Sequence, residues 1–285
     1  MTLDKLYNKK ILVTGSAGFI GGHLLNKLPN VVGMDKKHGA STSDYYLLRS
    51  AVEKHHPCMI VHLGANCSTQ ISLRDPQLDF IDNAIGTFNV CEVARQYNIP
   101  VIFNSSMKVY PGEDGIIPPY GLSKLVGEQY IKMYHELYGL EYIINRPSSV
   151  YGHNQEGSED GGWFTWFIKA SVQNKTITLF GDGTQTRDVL YIDDHIDLLM
   201  DQVQNFELYK NSDYDFGGGP ENILSLNTLL ETLDYDRIIE GKKLPGDVQH
   251  FANDNIAVGK VNGWQPKINW QEGLERTKEW LIQSL

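Results

Sequence analysis

The sequence predicts an α/β protein, a parallel sheet doubly wound with helices, and three observations carry that prediction. Short apolar runs alternate with helical stretches through the first half of the 285 residues. Those runs are apolar at successive positions, as strands covered on both faces are. A glycine-rich turn follows the first run and opens the first helix, the place where such sheets hold dinucleotides.

In chain order, Ile11-Leu12-Val13 is the first strand, and 19–28 is an amphipathic helix after the glycines. Val31-Val32-Gly33-Met34 is a second strand, ending at Asp35. Further strands follow over 59–63, 101–104 and 141–144, with helices over 81–97 and 120–138. Beyond Tyr151 the texture changes. Residues 153–162 are polar and glycine-rich and read as a loop. A helix over 163–172, a short strand over 177–180, a helix over 193–203 and a strand over 214–216 come next. Residues 226–233 and 271–282 each carry one apolar stripe, as surface helices do. The expected division is a nucleotide-binding half over 1–150 with about 188–218, and a second half over 151–187 and 219–285.

Composition narrows the function. Hydrophobic residues make up 41% and charged residues 21%, the balance of an ordinary globular chain rather than a disordered one. Lys and Arg number 25 against 35 Asp and Glu, and the formal charge of -10 repels phosphate backbones, so nucleic acid is not an expected partner. Cys58, Cys67 and Cys91 cannot all pair and form no C-x-x-C, which argues against a disulfide scaffold and a zinc site. No apolar run approaches the ~18 residues that cross a bilayer. The polar N-terminus is unlike a signal peptide. The expectation is a cytoplasmic protein.

Gly15, Gly18 and Gly21 divide the work of a dinucleotide turn. Gly15 makes the tight turn, Gly18 lets the backbone approach a pyrophosphate, and Gly21 lets helix and strand pack closely. The pyrophosphate then meets free N–H groups at the helix N-terminus. Asp35 stands 35 − 15 = 20 positions beyond Gly15, where a carboxylate takes the ribose hydroxyls of NAD and repels a 2′-phosphate. This is the pattern of a Rossmann-type fold. Lys36, Lys37 and His38 follow directly and could accommodate a 2′-phosphate instead.

Ser105 and Ser106 end the strand over 101–104, and strand ends line the ligand crevice. Tyr120 and Lys124 stand four apart on one face of the next helix. A phenol with an ordinary pKa near 10 is a poor base at neutral pH, and a neighbouring ammonium is expected to lower it. With a serine hydroxyl on the same substrate oxygen, the set suits removing an alcohol proton while the carbon is oxidised.

Together these motifs resemble the extended short-chain dehydrogenases/reductases. The matching residues are Gly15-x-x-Gly18-Phe19-Ile20-Gly21, His62-Leu63-Gly64-Ala65, Asn83-x-x-Gly86-Thr87-x-Asn89, Ser105-Ser106, Tyr120-x-x-x-Lys124, Val150-Tyr151-Gly152 and the run from Gly181 to Asp188. Within that family they are similar to the NAD-dependent epimerase/dehydratase group that acts on nucleotide sugars. The resemblance implies a catalytic Ser106, Tyr120 and Lys124. It implies NAD contacts at Gly15, Gly18, Phe19, Ile20, Asp35, Leu63, Gly64, Ala65, Pro147 and Ser148, with Asp44 at the adenine. Lys108, Ser149, Trp163 and Arg187 are implied at a nucleotide-diphosphate sugar, Arg187 on the diphosphate. Asn83 is implied behind the site. The helices over 81–97 and 120–138 are implied as the interface of a homodimer.

Dehydratases of the group place an acidic residue directly after the catalytic Ser or Thr, and Met107, which cannot donate a proton, stands there. The stretch Ser106-Met107-Lys108-Val109-Tyr110 is closer to the CDP-tyvelose (CDP-paratose) 2-epimerases. It also resembles GDP-fucose synthase, where a cysteine occupies the position of Lys108. Leu244 replaces an arginine that holds phosphate in relatives, and Lys242 or Lys243 is expected to substitute as a point charge. The function expected is NAD-dependent epimerisation through a keto-sugar, with a reductase/epimerase or a silent NAD-binding regulator as alternatives.

Overall fold

Six strands form one parallel sheet in the computed structural model, which describes residues 9–284. The stretch 1–8, most of the polar N-terminus read above, lies outside the described residues. The strands are β1 (Ile11–Thr14), β2 (Val31–Met34), β3 (Met59–His62), β4 (Val101–Asn104), β5 (Tyr142–Pro147) and β6 (Ser212–Phe216). Their order is β6-β5-β4-β3-β1-β2, and every neighbouring pair is parallel. The chain moves outward from β1 to β2 and then crosses back to β3. The winding therefore reverses between β1 and β3, and a crevice opens at their carboxyl ends.

Alternate strand residues face opposite layers, as the pleat requires. Ile11, Val13, Val61, Ile102 and Ile143 pack with Leu24, Phe164 and Leu198 on one face. Leu12, Ile60, Val101, Phe103 and Ile144 pack with Leu48, Val90 and Ile131 on the other. The helices behind these contacts are α1 (Phe19–Lys27), α2 (Tyr45–His55), α3 (Gly86–Tyr97), α4 (Pro119–Tyr138), α5 (Trp163–Gln173) and α6 (Ile192–Gln204). Helix α6 packs on α1. The pattern of the sequence leaves α2 unassigned; Asp44 caps it by accepting hydrogen bonds from the amides of Tyr46 and Leu47.

The helix expected over 81–97 starts earlier and is not uniform. Asp75 accepts from the amide of Leu78, Pro76 holds the first helical position, and a turn over Pro76–Asp79 leads into a π-helical turn, Phe80–Ile85, before α3. The wide turn carries Asp82, Asn83 and Ala84 inward. The remaining strands form small sheets: Ile223–Ser225, Thr186–Asp188 and His250–Phe251 in one, Ile177–Phe180 with Ile238–Gly241 in a second, and Val150–Tyr151 with Leu190–Tyr191 in a third. No helix among the described residues is long and apolar enough to cross a membrane.

Candidate active site

The turn after β1 is shaped by contact. Gly15 has φ +69°, and a Cβ there would stand 2.7 Å from the Gly64 nitrogen and the Leu63 carbonyl carbon. A Cβ on Gly21 would stand 2.1 Å from the Gly15 oxygen. Gly18 caps α1 without a side-chain partner, so the first amides of the helix stay available to an anion. On β3, the His62 ring lies between the hydroxyls of Thr14 (2.7 Å) and Thr87 (3.1 Å). Burial pushes its pKa down to about 3, so it is neutral and ties β1 and β3 to α3.

Asp35 is buried at the end of β2, with one oxygen accepting from the Ala17 amide (2.9 Å) and the other from the Lys37 amide (2.8 Å). Lys36, a cation that could meet a 2′-phosphate, pairs with Asp82 at 2.5 Å. A fixed carboxylate beside a neutralised lysine suits ribose hydroxyls better than a phosphate.

Contact also brings the reacting groups together. A Cβ on Gly121 would stand 1.8 Å from the Lys108 oxygen, so only glycine lets the first turn of α4 rest on the turn after Ser106. Pro119 opens that helix at its first position. Behind it, fully buried Glu128 accepts from the Ser105 hydroxyl (2.6 Å) and from Arg146 Nε (2.8 Å) and Nη2 (2.6 Å), which locks β4 and β5 to α4. Asn83 joins Asn66 and Ser123, a structural role behind the site.

Burial pushes the Tyr120 phenol above its ordinary range, while a hydrogen bond with Ser106 favours the ionised form. The expected lowering by Lys124 is not seen. The Lys124 ammonium instead donates to the Asn104 carbonyl at 2.7 Å and lies 4.7 Å from the centre of the Phe103 ring. Burial lowers its own pKa to about 8.

Two cavities meet at this pair. The larger, about 560 Å³, is lined by Gly15, Gly18, Phe19, Ile20, Asp35, Leu63, Gly64, Ala65, Lys124, Pro147 and Ser148. The glycine cradle, the open helix end and the fixed Asp35 fit a dinucleotide there. The smaller, about 270 Å³, contains Lys108 and Arg187. Ser106, Tyr120, Ser148, Ser149, Trp163 and Cys67 border both, and the Trp163 indole donates to the Ser149 hydroxyl at 3.2 Å. Asp44 borders neither; its Oδ1 accepts from the amides of Tyr46 and Leu47 at the cap of α2.

Asp247 is the feature the sequence reading missed in the smaller cavity. Its Oδ1 accepts from both Lys108 Nζ (2.8 Å) and Arg187 Nη2 (2.9 Å). Lys242 and Lys243 do not take the place of the absent arginine: neither borders the cavity, and Lys243 turns outward to Glu113 at 3.3 Å. The second cation is Lys108. The sequence carries a sign of this only in its two charges, since 139 residues separate Lys108 from Asp247.

Comparison with known proteins agrees with this architecture. The model of the "NAD dependent epimerase/dehydratase family" matches residues 11–217. A putative UDP-glucose 4-epimerase of Methanocaldococcus jannaschii is 32% identical, over 95% of this chain and 98% of that protein. A CDP-paratose 2-epimerase of Salmonella typhi is 28% identical, over 95% and 98%. The crystal structure of a UDP-glucose 4-epimerase from Thermotoga maritima with UDP-glucose superposes with a TM-score of 0.85 at 28% identity, over 96% of this chain and 99% of that one.

Proposed function

The chain belongs to the NAD-dependent epimerase/dehydratase family, and we propose that it is a nucleotide-sugar epimerase acting on a uridine- or cytidine-linked hexose. The observation that carries this reading is the meeting of a dinucleotide-shaped cavity with a smaller cationic one at Ser106 and Tyr120. The named activities of the relatives support the choice of pyrimidine nucleotide. Met107, buried with its sulfur 3.8 Å from the Ser148 hydroxyl, offers no proton for expelling water, so epimerisation is favoured over dehydration.

The glycine turn and Asp35 would hold NAD, which when bound would supply the two-electron acceptor for oxidising a sugar carbinol to a ketone and reversing it. Tyr120 takes the proton of the sugar hydroxyl and, after the ketone has turned, returns it to the same oxygen, while the hydride held by bound NAD would go back to the opposite face of the carbon. Ser106 donates a hydrogen bond to the same oxygen as charge develops on it. Lys124 presents its ammonium to the cofactor ribose. Arg187 and Lys108 hold the diphosphate, Arg187 through a planar fork and Lys108 as a point charge, so the ketone stays in the cleft while it turns.

Tyr120→Phe is expected to lower turnover by about 10²- to 10⁴-fold, the usual share of a proton-transferring side chain, while NAD affinity stays unchanged. UDP- and CDP-hexoses are expected to raise the melting temperature of the wild type. In deuterated water the inverted carbon stays free of deuterium, and no reduced cofactor accumulates. Stoichiometric consumption of NADH or NADPH with substrate would overturn the epimerase reading in favour of a reductase.

A further inference from the structure

Outside both cavities, His23, His153 and Asp193 converge from three elements: α1, the segment after Gly152, and the first turn of α6. Each offers one ligand atom, and these atoms lie within 4.8 Å of one another. All three residues are half-buried. The two imidazole rings meet edge to face with centroids 4.5 Å apart. We propose that this cluster is a divalent-metal site that takes Zn²⁺ through two imidazole nitrogens and one carboxylate oxygen, with solvent completing a tetrahedron.

The donor chemistry favours that ion, since imidazole and carboxylate are ordinary zinc ligands. Zinc–ligand bonds of about 2.0–2.2 Å place tetrahedral ligand atoms roughly 3.4 Å apart, a separation within the 4.8 Å span of this cluster. Supporting oxygens are already in place. His23 Nε2 lies 3.0 Å from the His153 carbonyl oxygen, and His153 Nδ1 lies 3.0 Å from the Tyr191 hydroxyl. Each ring therefore has one nitrogen beside an oxygen, the kind of support that metal-bound histidines use. The competing cation is Arg276, whose Nη1 lies 3.6 Å from Asp193 Oδ2. Its Nη2 pairs with Glu272 at 2.5 Å, so Asp193 can turn to a metal without leaving the guanidinium alone.

The position gives the ion a mechanical role. His23 lies one turn beyond Phe19 and Ile20, which line the larger cavity, and His153 leads into residues 155–158, which also line it. An ion here staples the helix of the glycine turn to the segment that walls the cofactor cavity. Cysteine spacing bears on thiolate zinc sites and not on this one, which uses no thiol. Its two histidines are 130 positions apart and only the fold joins them.

The test uses the full chain, stripped with chelator and dialysed against micromolar Zn²⁺, with bound metal counted and the melting temperature measured. One zinc per chain and a rise of several degrees are expected. His153→Ala and Asp193→Asn should each weaken binding by about ten-fold or more, whereas a His55→Ala, His56→Ala double variant should bind as the wild type does. X-ray absorption of the zinc-loaded protein should show nitrogen and oxygen neighbours only. Substoichiometric zinc in the wild type, retention of full affinity in Asp193→Asn, or sulfur in the metal's first shell would each overturn the proposal. If His153→Ala fails to fold, Asp193→Asn decides the matter, because that side chain is 43% exposed.

Discussion

Lys124 is where burial and function conflict most plainly. It is 3% exposed, and its ammonium has one carbonyl and one ring for company. Its pKa in the folded chain is about 8 against an ordinary 10.5. Between those values the unfolded chain holds a proton that the folded chain has released, so stability contributed at this site rises with pH across the window and levels off above it. Comparing wild type with Lys124→Met cancels the tyrosines and cysteines that titrate in the same range. The wild type is expected to gain up to roughly 3 kcal/mol relative to the variant between pH 8 and 10.5, read by thermal or urea unfolding without cofactor. A flat difference would mean that Lys124 is not the strained cation described here. The Tyr120–Lys124 pair was legible from its four-residue spacing, but the direction of the phenol's shift was not. Spacing reports which side chains share a helix face, whereas desolvation depends on what the rest of the fold lays over them.

At the scale of elements, glycine positions carry the most consequence. Gly21 sits inside α1 with its Cα pressed on the turn it follows, and a methyl there would meet the Gly15 oxygen at 2.1 Å. Gly21→Ala is therefore expected to destabilise the chain by about 2–4 kcal/mol through backbone displacement, and to weaken NAD binding with it. Gly22→Ala, one residue on, meets no atom within 4 Å and is expected to raise stability by a few tenths of a kcal/mol to about 1 kcal/mol. Equal effects in urea unfolding would refute the contact argument. The central strands and α1, α4 and α5 could be read from the sequence within a residue or three, because continuous apolar runs and helical period survive any context. Helix α2 and the two- and three-residue strands of the C-terminal half could not. With a mean period too short to recognise, Thr186–Asp188 owes its pairing to partners at Ile223–Ser225 and His250–Phe251.

At the scale of the whole molecule, α3 and α4 lie side by side and carry Phe88 and Leu122, 38% and 50% exposed, and Leu78 and Phe80 are exposed on the turns before α3. We propose that these exposed apolar side chains form an association surface. A homodimer is expected in sedimentation at micromolar concentration, and Phe88→Glu combined with Leu122→Glu should give a monomer; a monomeric wild type would remove the proposal. The π-helical turn over Phe80–Ile85 runs through this segment. It takes up one residue more than a regular turn, which would otherwise carry the helix round by about 100°. Leu78 precedes it, Phe80 opens it and Phe88 follows it, while Asp79 and Asn83 reach Ser123 beside the catalytic residues. The wide turn thus lets the inner face reach Ser123 while the helices on either side of it keep their places. Deleting Ile81 would close it to a regular turn and leave those helices in phase, so assembly is expected to survive while Asp82 and Asn83 shift on the inner face and turnover falls.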